Sequence, residues 1–104
     1  MITRVWHGKT KSIDADKYLR FLIDYGVTEY QNTPGNLEVR IWRRIDRNEA
    51  HFWTVSTWES IESIKAFAGQ NVEKAKYYPE DDQFLLEFEP TVAHYECSKL
   101  SSDM

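Results

Sequence analysis

The sequence predicts an α+β fold: one four-stranded antiparallel sheet with two helices packed on one of its faces. Three observations predict it. Helical stripes near residues 15–23 and 61–68 are separated by segments in which apolar residues alternate. A polar turn, DRNE at 46–49, joins two alternating segments as a hairpin. The resulting order is β-α-β-β-α-β, the ferredoxin-like split arrangement.

The elements follow in chain order. ITRVWHGK (2–9) is rich in β-branched and aromatic residues and reads as the first strand. Asp14 is the expected N-cap of the first helix, with Ile13 and Tyr18 at staple spacing. Ala15, Tyr18, Leu19, Leu22 and Ile23 form its buried stripe, and Gly26 is the expected C-terminal glycine. NTPG (32–35) is loop.

In GNLEVRIWRRID (35–46), Leu37, Val39 and Ile41 share one face, and Glu38, Arg40, Trp42 and Arg44 the other. The DRNE turn sets Ile41 opposite Thr54, Val39 opposite Ser56 and Trp42 opposite Trp53. Ser60 starts the second helix, whose stripe is Ile61, Ile64, Phe67 and Ala68. Gly69 and Asn71 break or bend it before VEKAKYY, and Pro79 ends it. PEDDQFLLEFEP is an acidic connection with an apolar centre. VAHYECS closes the sheet. Residues 1–98 read as a single domain, and 99–104 as a flexible tail.

Composition narrows the function. A chain of 104 residues is one domain that buries about two-thirds of its unfolded surface. A net charge of −4, with basic residues scattered among 17 acids, argues against nucleic acid. One cysteine makes no internal disulfide, and no Cys/His spacing suits zinc, so no metal site is expected. No run is apolar enough for a signal peptide or a membrane span. A cytoplasmic protein with no membrane partner is the expectation. Two tryptophans on the uncovered sheet face, Trp42 and Trp53, lie with Val55 among Arg40, Arg44 and His51. That patch is too apolar for solvent, so a homodimer pairing two such faces is expected.

The VSTWES junction, with Trp58 leading into SIESIKAFA, and the closing VAHYE strand resemble the antibiotic biosynthesis monooxygenase family over residues 1–98. The resemblance implies a dimeric α/β barrel, with two sheets facing and the helices outside. It implies either a cofactor-independent oxygenase acting on quinol-type aromatics or a haem degrader. The haem branch departs from this sequence. It places a ligating histidine in the second helix, whereas residues 60–78 hold none. It also uses an asparagine in the first strand, which ITRVWHGK lacks.

Trp58 shares the helix-facing side with Phe52, Thr54 and Ser56. It reads either as a core aromatic at the strand–helix junction or, as the resemblance implies, as one wall of a ligand pocket. The small polar Thr54 and Ser56 fit a pocket, and satisfied core hydroxyls equally well. The unperturbed pKa of a histidine suits proton transfer near neutrality, and His94 reads as a catalytic base or as a satisfied strand histidine. Tyr77 and Tyr78, with PEDD, form either a pocket rim or a capped helix end. Arg43, with Arg40 and Arg44, would meet an anionic substrate or a partner's acids. Cys97 reads as a small buried hydrophobe.

An apolar pocket, a base and anion-stabilising donors would suffice for a cofactor-less monooxygenase on a small aromatic or quinol-type substrate. The alternative is a non-catalytic dimeric small-molecule-binding or stress-related protein.

Overall fold

The computed structural model describes residues 1–100; residues 101–104, within the predicted tail, lie outside the described residues. Four strands form one sheet: β1 (Ile2–Lys11), β2 (Asn36–Asp46), β3 (Glu49–Trp58) and β4 (Ala93–Glu96). Their order is β2-β3-β1-β4, and every neighbouring pair is antiparallel. The predicted hairpin register is the observed one. Ile41 faces Thr54, Val39 faces Ser56, and Trp42 faces Trp53. A bulge at Asn36–Glu38 lets the strand enter that register from the NTPG loop.

The first helical segment is longer than expected. It comprises α1 (Ala15–Phe21), a π-helical turn (Leu22–Val27) and α2 (Thr28–Gln31). Gly26 does not stop it. Its backbone stays helical and buried, and a Cβ there would make only an ordinary contact with Leu22. The π turn shifts the helical phase. Ile23 of the predicted stripe is therefore exposed, while Phe21 and Tyr30 are buried. At the N-terminus, a 3₁₀ turn over Ser12–Asp14 replaces the expected cap. The Asp14 side chain caps nothing, and Ile13 is 84% exposed, so no hydrophobic staple forms.

Helix α3 (Ile61–Ala68) starts as predicted, its Ser63 N–H bonded to the Ser60 side chain. It ends at Gly69, whose φ of 92° is a conformation L side chains rarely adopt. Val72–Tyr78 is therefore not helix. It is tied to the 89–92 stretch through a Lys74–Thr91 bridge and the Ala75 and Val92 amides. A 3₁₀ turn, Pro79–Gln83, follows. Among the described residues, no helix is long and apolar enough to cross a membrane.

The helical layer covers one sheet face with two adjoining cores. The larger packs Tyr18, Phe21 and Leu22 on Trp6, Phe52 and Leu85. The smaller packs Ile64 and Phe67 on Trp58 and Tyr30. The opposite face carries Trp42, which is 54% exposed, with Trp53, Arg40, Arg44 and His51 in the predicted setting.

Candidate functional site

A cavity of about 30 Å³ lies where the two cores meet, between the helical layer and the sheet. Trp6 and Thr54 line it from β1 and β3. Tyr18, Leu22, Gly26 and Tyr30 line it from the first helical segment, and Lys76, Tyr78 and Asp81 from the connection after α3. Sequence builds it locally in two ways. Gly8 leaves room for the Trp6 indole to lie along the strand, since a Cβ at that position would overlap the ring. The helical Gly26 adds no side chain to the cavity between Leu22 and Tyr30.

The polar groups, the Trp6 indole N–H apart, are paired. The Tyr18 hydroxyl donates to Asp81 Oδ1 at 2.9 Å, and the Tyr78 amide to Asp81 Oδ2 at 2.7 Å. Asp81 is 2% exposed, and burial pushes its carboxyl above the ordinary carboxylate range. Burial, reinforced by Asp81, also pushes the Tyr18 phenol up, so that hydroxyl stays a donor. Tyr30 pairs with the Thr54 hydroxyl at 3.2 Å. Burial raises its phenol too, opposed by Thr54 and by the positive charge of Arg4. The Tyr78 hydroxyl donates to Glu29 at 2.6 Å, and Lys76 forms an ion pair with the same carboxylate. The Trp6 indole N–H has no hydrogen-bond partner among the described residues.

The sequence-predicted residues separate into three groups. Thr54 and Tyr78 line the cavity. Phe52, Ser56 and Trp58 face the same side but are fully buried behind it; the Trp58 indole donates to Ser56 Oγ at 2.9 Å and packs on Tyr30 and Phe67. Arg43 is at the surface, bonded to Asp16 at 2.8 Å, and the Tyr77 hydroxyl is bonded to the Glu89 carbonyl.

His94 stands opposite Arg4 on β4, on the helix side of the sheet. Arg4 Nη1 donates to its Nε2 at 3.2 Å. Burial, then the guanidinium charge, lower the His94 pKa, so the neutral ring is favoured. Arg4 itself is 1% exposed and also donates to the Val72 and Lys74 carbonyls. His94 thus acts on the pocket only through Arg4 and the segment that carries Lys76 and Tyr78.

Trp6, Tyr18 and Tyr30 are pocket residues that sequence reasoning passed over, and Asp81 entered it only within the PEDD run read as a rim or a capped helix end. One signal was present: a tyrosine on a buried helical stripe needs a partner for its hydroxyl.

No family model matches the sequence, and no curated protein matches it. Solved structures do match in fold. One, described as an antibiotic biosynthesis monooxygenase, aligns with a TM-score of 0.65 at 14% identity, covering 95% of this chain and all of the other. The heme-degrader MhuD of Mycobacterium tuberculosis, with two hemes in its active site, aligns at 0.60 and 17% identity, covering 98% of this chain and 100% of its own.

A haem group does not fit the residues here. The cavity is far smaller than a porphyrin. No imidazole lines it: His94 lies behind Arg4, which holds its Nε2, and His7 and His51 lie on the other sheet face. The chain carries the ferredoxin-like fold shared by antibiotic biosynthesis monooxygenases and this heme degrader, as the resemblance implied.

Proposed function

We propose that this chain is a cofactor-independent, oxygenase-like enzyme acting on a small aromatic or quinol-type substrate. The observation that carries the reading is a buried carboxyl, Asp81, set among Trp6, Tyr18, Tyr30 and Tyr78 in a pocket between helices and sheet. The fold shared with a monooxygenase supports it.

In this reading Asp81 takes the proton of a phenolic hydroxyl. Its raised pKa brings it nearer a working pH, as a general base requires. The aromatic walls hold the ring, and the Tyr30 hydroxyl, with Arg4 behind it, stabilises the developing anion. The anion passes an electron to oxygen. The radical pair joins at a ring C–H carbon as a peroxide anion, which takes the proton back from Asp81, and the resulting hydroperoxide loses water to leave a carbonyl. All four electrons come from the substrate, so no outside reductant enters. Trp58 and His94 serve as positioning residues behind the pocket. The functional unit is proposed to be a cytoplasmic homodimer closed over the Trp42–Trp53 face.

The test is oxygen uptake by the purified protein with a panel of small quinols. Asp81→Asn is expected to lower kcat by about 10²-fold or more, the usual share of a general base. Uptake equal in wild type and Asp81→Asn removes Asp81 from the reaction.

A second reading, a non-catalytic binding protein, is favoured by the small cavity and by the pairing of Lys76 and Tyr78 with Glu29. It is upheld by quinol-dependent thermal stabilisation without oxygen uptake.

A further inference from the structure

The open sheet face holds a side-chain cluster that the pocket does not use. His7 on β1 stands opposite Trp53 on β3, and His51 stands opposite Lys9. The two histidines are therefore diagonal neighbours on adjacent strands, within mutual side-chain reach. Their nitrogens, His7 Nε2 and His51 Nδ1, face one another at 2.9 Å, with the rings inclined by 20° and their centroids 5.2 Å apart. Behind His7, the Glu89 carboxylate accepts from Nδ1–H. Trp53 packs against both rings, at 5.1 and 5.9 Å.

Glu89 sets the chemistry of the pair. With the His7 proton held on Nδ1, the Nε2 lone pair is turned toward His51, and the His51 Nδ1–H must be the donor between them. A carboxylate on the far nitrogen is the usual support behind a metal-bound histidine, fixing both tautomer and ring orientation.

We propose that His7 and His51 form a two-nitrogen site for a late first-row divalent ion such as zinc, nickel or copper, with Glu89 as the orienting carboxylate. Imidazole nitrogens suit these ions, whereas calcium and magnesium require oxygen donors. Two metal–nitrogen bonds of about 2.0–2.1 Å at a tetrahedral centre place the nitrogens about 3.3 Å apart. The pair need open by only about 0.4 Å, within reach of small side-chain rotations. The ion takes the place of the His51 Nδ1 proton, which moves to Nε2 of the same ring, so no net proton is lost.

Among the described residues, no group of three His, Cys, Asp or Glu surrounds one point. On a single protomer water fills the remaining positions, and the site is a chelating pair rather than a closed structural centre. Glu49 and Glu87 are engaged by Lys9, which keeps that ammonium occupied beside the site. Arg44, opposite His51, is the cation that opposes binding. Residues 7 and 51 are too far apart in sequence to form a spacing motif, which is why no metal site was expected.

The experiment titrates copper and zinc into the untagged, chelator-stripped protein by calorimetry, with electron paramagnetic resonance of the copper form. One ion per chain is expected, with a spectrum showing two coordinating nitrogens. His51→Ala and His7→Gln should each weaken binding at least tenfold, and Glu89→Gln by roughly 10–100-fold. Unchanged circular dichroism in His51→Ala shows that the loss is not unfolding. Wild-type binding no tighter than that of His51→Ala, or a copper signal with one nitrogen, overturns the site.

Discussion

At the scale of single residues, His94 is a histidine whose basic lone pair is already engaged. Arg4 donates to Nε2, and a proton placed there would break that bond and set two cations together. The lowered pKa means that the unfolded chain binds this proton more readily than the folded one. The stability His94 contributes is therefore complete above its ordinary pKa of about 6.5 and is lost as pH falls through the lowered folded value. Asp81 has the opposite sign. Its raised pKa contributes stability below the ordinary carboxylate value, which is lost as pH rises through the folded one. Denaturant titrations from pH 7 to pH 5 should show the wild type losing stability more steeply than His94→Gln. Parallel curves would leave the Arg4–His94 bond without thermodynamic weight.

At the scale of elements, the turn before β2 is docked tightly on α3. Gly35 has φ of 93°, and a Cβ there would overlap the Ser63 side chain in the first turn of that helix. Its carbonyl also accepts from the Glu59 amide at 2.9 Å. Gly35→Ala combines a strained backbone with overpacking and should destabilise by about 1–3 kcal/mol, read as a lower urea midpoint.

Elements differ in how plainly the sequence announces them. The β2–β3 register follows from alternation either side of a short polar turn, and α3 from Ser60 ahead of an apolar stripe. The first helical segment is harder because its phase changes at Leu22–Val27, where a strict 3.6-residue count and a glycine both suggest a stop. The pocket was legible only at Thr54 and Tyr78. Asp81 sits in an acidic run that reads as solvated turn, and nothing local reveals that Tyr18, from 63 residues away, will bury it.

At the scale of the whole molecule, the two sheet faces have different fates. One is sealed by the helical layer, and the other pairs Trp42, 54% exposed, with Trp53 across β2 and β3, where no helix among the described residues covers them. A second copy laid on that face is the proposed cover. Sedimentation at micromolar concentration should give a dimer, and Trp42→Glu should shift it toward monomer; a wild-type monomer at that concentration contradicts the arrangement.

The wall that closes the pocket behaves differently again. Between Gly69 and Pro79 the chain has neither helix nor sheet ladder; one bridge, two backbone bonds to the 90–92 stretch, side-chain bonds to Glu29, Glu89 and Phe67, and the Arg4 grip on two carbonyls hold it down. Such a stretch is the natural low-stability unit of the fold, and its amides should exchange with solvent well before those of β1 and β3. Admission of the proposed substrate would thus be separable from global unfolding: it would cost the freeing of about ten residues while the sheet stays closed to water.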